Sequence, residues 1–377
     1  MTSLPAINES HRQVLVLGNG RCYHTMDWFR SGQALQPGNP PVLVTELIEG
    51  ESFPRLLQPG DRLERLLVID GLLFRKQSRA GDIWRNLVKL FLLPAQVLRF
   101  RRILRRYPGA VVHAHSMYYI ALARFAGCYY VATPQGSEVL ARPQRSRAYR
   151  MFARTALANA ARITVDSVAM QQGLAAMFAA PSLLVQNGIN VRAIQELRHA
   201  GRPRDRAVSV RGFVPNYRID QIIAARNAQL PTLAIDFCYP FSDRAYKARL
   251  NSLMIPGDRD LGSLERRELY ELLLSAFVVV SIPESDSSPR SVYEAIFCGC
   301  IVVTSASGWL AQVPECMRRR VIVTDIASAD WLAVAVEKAR DMARVPFVPS
   351  DAALRQFDQQ ESMRRFYAEI YPRMASA

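Results

Sequence analysis

The stretch Phe277–Ser305, FVVVSIPESDSSPRSVYEAIFCGCIVVTS, decides the fold. Phe277–Ser281 is an apolar, β-branched run with strand chemistry. Pro283–Arg290 is too polar, and too rich in Pro and Ser, to continue it. Ser291–Phe297 suits a short helix, with Glu294 one turn in and Tyr293, Ile296 and Phe297 available for packing. Gly299 falls where a helix takes its left-handed stop, and Ile301–Thr304 opens the next strand. The result is a strand–helix–strand unit carrying two acids, Asp286 and Glu294, at the carboxyl end of its first strand. Open α/β sheets bind ligands at that edge, and a helix start adds backbone amides suited to phosphate. A sugar nucleotide uses both features, hydroxyls for the acids and a diphosphate for the amides. Alone, the stretch reads equally as a solvated loop closed by a helix-capping acid.

Outward from this unit the same rhythm repeats. Strands are expected at Val14–Leu17, Val42–Thr45, Leu66–Ile69, Ala110–His113, Tyr129–Ala132, Ile163–Val165 and Leu183–Val185, separated mostly by helical patterns. Such alternation predicts a parallel sheet with helices on both faces. Arg198–Ala207, RHAGRPRDRA, is polar, basic and without apolar period, so it reads as a linker. The rhythm then restarts at Ala207–Val210, Thr232–Phe237, Ser252–Ile255, Phe277–Ser281, Ile301–Thr304 and Val321–Thr324. The fold class is α/β, with two doubly wound Rossmann-like domains facing across a cleft. Their expected limits are 1–200 and 201–348, followed by C-terminal helices over 349–377 with Phe357, Phe366 and Tyr367 turned inward.

A chain of 377 residues suits two domains rather than one small core. Net charge is +15, from 48 Lys+Arg against 33 Asp+Glu. That excess calls for an anionic partner: nucleic acid, anionic lipid or a phosphorylated substrate. No apolar run reaches the length needed to span a bilayer. The start, MTSLPAINESHRQ, lacks the basic and apolar regions of a secretory signal. The 6 cysteines show no metal or disulfide spacing and read as free thiols of a reducing cytoplasm.

Asp286, seven intervening residues, Glu294, and then Ala295 with CGCIVVTS resemble the signature of the retaining GT-B glycosyltransferases of the group 1, GT4-like, kind. That family usually has Glu at the first position and a Gly-Phe-Gly-like loop; here Asp286 and Ser287-Ser288-Pro289-Arg290 stand instead. The resemblance implies a GT-B fold whose second domain holds a nucleotide-sugar donor. By it, Glu294 binds the ribose hydroxyls and Asp286 orients the sugar. Ser288, Pro289, Arg290 and Ser291 line the donor, the helix start offering amides. Val208–Arg218, VSVRGFVPNYR, is similar to the family's second-domain opening, where an arginine and a lysine hold the diphosphate. Arg211 matches the arginine. The lysine is absent, and Tyr217 or Arg218 stands nearest.

In the first domain, Gly18-Asn19-Gly20 after a strand is a weak phosphate-loop look-alike, with Gly20 the residue that would touch donor. His113-Ala-His115-Ser is similar to the family's loop whose second histidine faces the transferred sugar, which makes His115 a catalytic candidate beside Asp286. The two histidines are read as facing apart and poorly placed to hold one metal. Thr133–Glu138, TPQGSE, resembles the family's T-x-H-G-S-D/E segment. Gly136 would permit close backbone approach to donor, and Glu138 would bind on the acceptor side, or merely cap a helix. Gln186–Asn190, QNGIN, is similar to the P-N-G-V-D turn that ends the family's first domain. The family's C-terminal helix returns to that domain.

Two rival patterns stand beside these. Asp258-Arg-Asp260 has the acid-x-acid form that holds a metal in the other large transferase fold, and also reads as a loop with a capping acid. Asp82–Tyr107 reads as two helices broken at Pro94. Val97, Phe100, Leu104 and Tyr107 form its stripe and Arg99, Arg102, Arg105 and Arg106 lie off it. Over residues 84–107 this suits contact with an anionic membrane surface, or an ordinary crossover helix with a solvated face.

The expected function is transfer of one sugar from a nucleotide diphosphate to a glycan or lipid-linked acceptor in bacterial envelope polysaccharide or lipopolysaccharide synthesis. No metal or cofactor is expected, arginines serving on the diphosphate. The place is cytoplasmic, at the inner face of the membrane, and nucleic acid is not expected. The alternatives are a nucleotide-sugar epimerase or hydrolase of similar fold, and a basic membrane-surface or nucleic-acid-binding protein.

Overall fold

The structure, a computed structural model, describes residues 12–46, 56–67, 79–178, 180–198, 203–284, 286, 288–305 and 308–372. The chain divides into two compact units, Met1–Asn187 with Gln360–Ala377, and Gly188–Gln359. In the first, β1 (Val14–Leu17), β2 (Val42–Thr45), β3 (Leu63–Arg65), β4 (Val111–His115), β5 (Tyr130–Thr133), β6 (Arg162–Val165) and β7 (Leu183–Leu184) form one parallel sheet, in the order β3-β2-β1-β4-β5-β6-β7. In the second, β8 (Arg206–Ser209), β9 (Ile235–Cys238), β10 (Arg259–Gly262), β11 (Ala276–Val280), β12 (Ile301–Thr304) and β13 (Val321–Val323) form another, in the order β10-β9-β8-β11-β12-β13. These are two doubly wound Rossmann-like units.

Successive side chains on a strand face opposite ways, so a sheet covered on both faces needs apolar residues at every position. Leu15, Leu17, Val112 and Ala114 enter one core of the first unit, and Val14, Val16, Val111 and Val131 the other. The second unit repeats this, with Val208, Val279 and Val302 on one side and Ala207, Val278, Val280 and Val303 on the other.

Each sheet reverses its strand order once. The chain leaves β1 for β2 and β3, then returns on the other flank at β4. It likewise leaves β8 for β9 and β10 and returns at β11. The loops beyond β1 and β4, and beyond β8 and β11, therefore part, which is the crevice where open sheets take ligands.

Several boundaries differ from expectation. The units part at Asn187/Gly188, not at residue 200, because Val191 and Ile194 already belong to the second unit's core. The basic stretch is no free linker: Arg198 donates to Phe297 O at 2.8 Å and Arg204 to Ala276 O at 3.0 Å. The later boundary falls at Gln359/Gln360, since Ala353 and Phe357 pack in the second unit. Met363, Phe366, Tyr367 and Tyr371 join Val14, Val16, Trp28 and Phe29 in the first. Pro94 does not split its helix, which runs unbroken over Arg79–Arg106. Burial of Val88, Val97, Phe100 and Ile103 on both sides of the proline holds it, as does Gln96, which bonds both the amide and carbonyl of Leu67. The strand expected at 252–255 lies at Arg259–Gly262, a half-exposed edge strand without an apolar run. The one expected at 66–69 is found at Leu63–Arg65, with 68–69 outside the described residues.

Candidate functional site

The second unit's switch point gathers the donor candidates. Arg211 follows β8, and its guanidinium is buried. Its Nη1 donates to Ser291 Oγ at 3.0 Å, it pairs with Asp286, and its Cζ lies 4.6 Å from the Tyr217 ring centre. Its Nε has no hydrogen-bond partner. Burial lowers its pKa, which Tyr217 and Tyr293 only partly offset. Arg218 sits at φ +50 before the helix Ile219–Gln229 and reaches Glu284 at 3.6 Å. Glu284 N donates to Asn216 O at 2.8 Å, tying the loop after β11 to the loop after β8. Arg211, Asp286, Ser291, Glu284 and Arg218 are thus one cluster. Tyr217, the other candidate for the missing lysine, stacks on Arg211.

The helix of the opening stretch runs Arg290–Phe297, after Pro289. Arg290 N already donates to Ser288 O at 3.0 Å, so that amide is taken within the loop. Gly299 stops the helix at φ +90, and a Cβ there would lie 2.6 Å from Arg204 Nη1. Glu294 is buried beneath this helix start. Its contacts fall on Oε1: Arg266, Tyr270 OH at 3.3 Å and Arg290 at 3.5 Å. Arg266 and Tyr270, four apart on the helix Arg266–Leu274, were not foreseen. Their i, i+4 spacing is the one signal that puts them on a common face.

In the first unit the switch point lies between β1 and β4. Gly20 N donates to Thr45 Oγ1 at 3.1 Å, and so serves its own loop. Gly18 lets that loop close on its neighbours, since a Cβ there would lie 2.6 Å from Thr25 Cγ2. His113 and His115 lie with ring centres 4.3 Å apart, not facing apart, because residues two apart on a strand return to the same face. His113 is fixed by Tyr371 OH at 2.8 Å and Thr133 Oγ1 at 2.7 Å. His115 is buried with no hydrogen-bond partner on Nε2, and burial pulls its pKa down to about 3. Gly136 opens the short helix Gly136–Leu140. Glu138 Oε2 accepts from Gln135 N and Met117 N, both at 2.9 Å. That carboxylate therefore clips the loop after β4 to the one after β5, and burial raises its pKa.

Asp258 and Asp260 are engaged elsewhere. Asp258 forms a fully buried pair with Arg226 at 2.5 Å, while Asp260 accepts from Tyr239 OH at 2.5 Å and pairs with Lys247 at 2.7 Å. Among the described residues no three ligating side chains are grouped to hold a metal ion, and no helix is long and apolar enough to cross a membrane.

Residues 41–188 match the model of the glycosyl transferase 4-like domain family. The two doubly wound units together have the GT-B fold, which they share with solved structures of glycosyltransferases. Among solved structures, HepE of Anabaena in complex with UDP-glucose is 16% identical, covering 96% of this chain and 100% of that one, at a TM-score of 0.70. Sucrose-phosphate synthase of Thermosynechococcus elongatus is 17% identical, covering 96% and 97%, at 0.66. AviGT4, a glycosyltransferase of avilamycin A biosynthesis, is 15% identical, covering 97% and 99%, at 0.59. No curated protein sequence matches the chain.

Proposed function

We propose that the chain transfers one sugar from a nucleotide diphosphate to a glycan or lipid-linked acceptor in bacterial envelope polysaccharide or lipopolysaccharide synthesis, with retention of configuration. The observation carrying this reading is the buried Arg211 guanidinium, with Nε unused, at the switch point of the second unit. A buried donor without a partner costs free energy, and a donor diphosphate would satisfy it. HepE binds UDP-glucose on the same fold, which supports a nucleotide-sugar donor here.

As the anomeric carbon–oxygen bond breaks, its electron pair leaves with the diphosphate. Arg211 and Arg218 offset the charge that grows there, and charge-assisted bonds contribute most where charge develops. Asp286 leaves Arg211 for the sugar when phosphate takes its place, and Glu294 offers its second oxygen to the ribose. The new bond forms to an acceptor hydroxyl oxygen, whose proton passes to the departing diphosphate oxygen. The residues in hand supply this without a metal.

The helix Arg79–Arg106 is the membrane contact in this reading. Leu90 is 66% and Phe91 85% exposed, with Leu87 and Leu98 beside them and Arg101, Arg102, Arg105 and Arg106 beyond. Such a helix suits an anionic interface, and this supports a place at the cytoplasmic face of the membrane in this reading.

Thermal-shift screening of UDP-, GDP- and ADP-sugars tests the donor site. One donor class should raise Tm, and Glu294→Ala should abolish that rise in a folded protein. Product analysis then separates transfer from hydrolysis or epimerisation, either of which would proceed without an acceptor. No shift with any class would overturn the reading.

A further inference from the structure

We propose that Tyr371 is a positioning residue for sugar transfer: through His113 it fixes the ring of His115, whose unused Nε2 is thereby aimed at the substrate's sugar. The inference rests on the glycosyltransfer reading, in which His115 is the catalytic candidate of the first unit. It gives a task to a residue that no sequence pattern singles out.

Gln360–Ala377 belongs to the first unit. It contains a single π-helical turn, Phe366–Ile370, closed by Tyr371 N donating to Phe366 O at 2.8 Å. Residues five apart on an α-helix point about 140° away from each other, but the wider turn brings Phe366 and Tyr371 onto one ring. Phe366 stacks on His113 with centres 4.9 Å and planes 19° apart, and Tyr371 meets it edge-on at 5.8 Å. Such turns are rare and concentrate at functional sites.

The hydrogen bonds give His113 one tautomer. Tyr371 OH lies 2.8 Å from Nδ1, Thr133 Oγ1 lies 2.7 Å from Nε2, and Thr164 Oγ1 lies 2.6 Å beyond Thr133. Burial keeps the proton on the phenol and the imidazole neutral. Among the described residues the phenol's hydrogen-bond partner is Nδ1 alone, and a buried donor goes paired. Tyr371 therefore donates to Nδ1, which leaves the His113 proton on Nε2, donated to Thr133.

A ring pinned on both nitrogens is a fixed wall for its neighbour. His115 lies 4.3 Å from it and 6.0 Å from Trp28, centre to centre. His113 uses both nitrogens inside the fold, whereas Nε2 of His115 is buried without a partner. The next residue, Ser116, adopts φ +69 and ψ 154. That region belongs essentially to glycine, and a side chain is held there only where its surroundings over-determine it, most often at active sites. Ser116 N donates to Thr133 O at 3.1 Å, so Thr133 anchors both the His113 ring and the turn that follows His115.

The test is heteronuclear NMR of the histidine rings in the full chain, with UDP-glucose, GDP-mannose and ADP-glucose, each beside its bare nucleotide. In the wild type His113 should be a single Nε2–H tautomer, and one sugar nucleotide, but not its nucleotide, should shift His115 Nε2. Tyr371→Phe should mix the His113 tautomers and lose that shift, with the nucleotide Kd unchanged by calorimetry. Thr133→Val should reproduce the loss, and Thr133→Ser, which keeps the hydroxyl, should retain the shift. A merely structural role would lower Tm and leave the His115 response intact. A His115 resonance that no sugar nucleotide moves, although a nucleotide binds, overturns the inference. So does an equal shift in the wild type, Tyr371→Phe and Thr133→Val. A wild type that binds no nucleotide sinks the underlying reading as well.

Discussion

His115 combines burial with an orphaned ring nitrogen at the end of β4, and its charge state follows from that place. With a folded pKa of about 3 against an ordinary 6.5, its contribution to stability is present above pH 6.5. It is lost as pH falls from there toward 3, because the unfolded chain takes up the proton first. NMR of the ring should therefore show a neutral imidazole at pH 5; titration near 6.5 would contradict the burial. Asp166, just beyond β6, shows the opposite sign. Burial pushes its pKa up to about 6 and Oδ1 has no partner, so its favourable contribution is complete below 3.8 and disappears as pH rises through 6. Asp166→Asn should raise Tm at pH 7 and flatten the pH dependence between 4 and 6. The sequence singles out Arg211 and Asp286 because they follow apolar runs, and Glu294 because it lies one turn into the helix after such a run. Arg266 and Tyr270 were not legible, since their i, i+4 spacing puts them on a common face but does not say what that face meets.

At the scale of elements, apolar runs were read well and polar ones poorly. β1, β2 and β12 lie where expected, each fully buried. β3 and β10 are sheet edges, half-exposed, and give no apolar signal. Arg198 and Arg204 looked like linker residues because charge normally means solvent, but their stems cross the unit to bond carbonyls. Gly188 is sensitive to a single methyl group. Its φ is +62, and a Cβ would overlap Gln359, whose N donates to Ile189 O at 2.9 Å. Gly188→Ala should cost about 1–3 kcal/mol or more, measurable as a lower urea midpoint. Phe366→Ala, in the core with Trp28 and Phe29, should cost about 3–5 kcal/mol.

For the whole molecule, alternating strands and helices were enough to expect two doubly wound units. The exact break was hidden because the change of unit occurs inside a turn, not in a polar tract. A net charge of +15 supports binding to anionic surfaces, and its dependence on salt is a property of the entire chain. Flotation with phosphatidylglycerol vesicles should retain the protein at low salt and release most of it near 0.5 M NaCl. Leu90→Asp with Phe91→Asp should weaken retention at every salt concentration; unchanged retention would remove that helix from the interface. The central claim is that the second unit's switch point holds a nucleotide diphosphate through Arg211, and calorimetric titration with UDP, GDP and ADP tests it most directly. One nucleotide should bind the wild type, and Arg211→Ala should weaken it tenfold or more, as expected for losing a charge-assisted bond of about 1.5–3 kcal/mol. Equal affinity in the two proteins, with both folded, would contradict it.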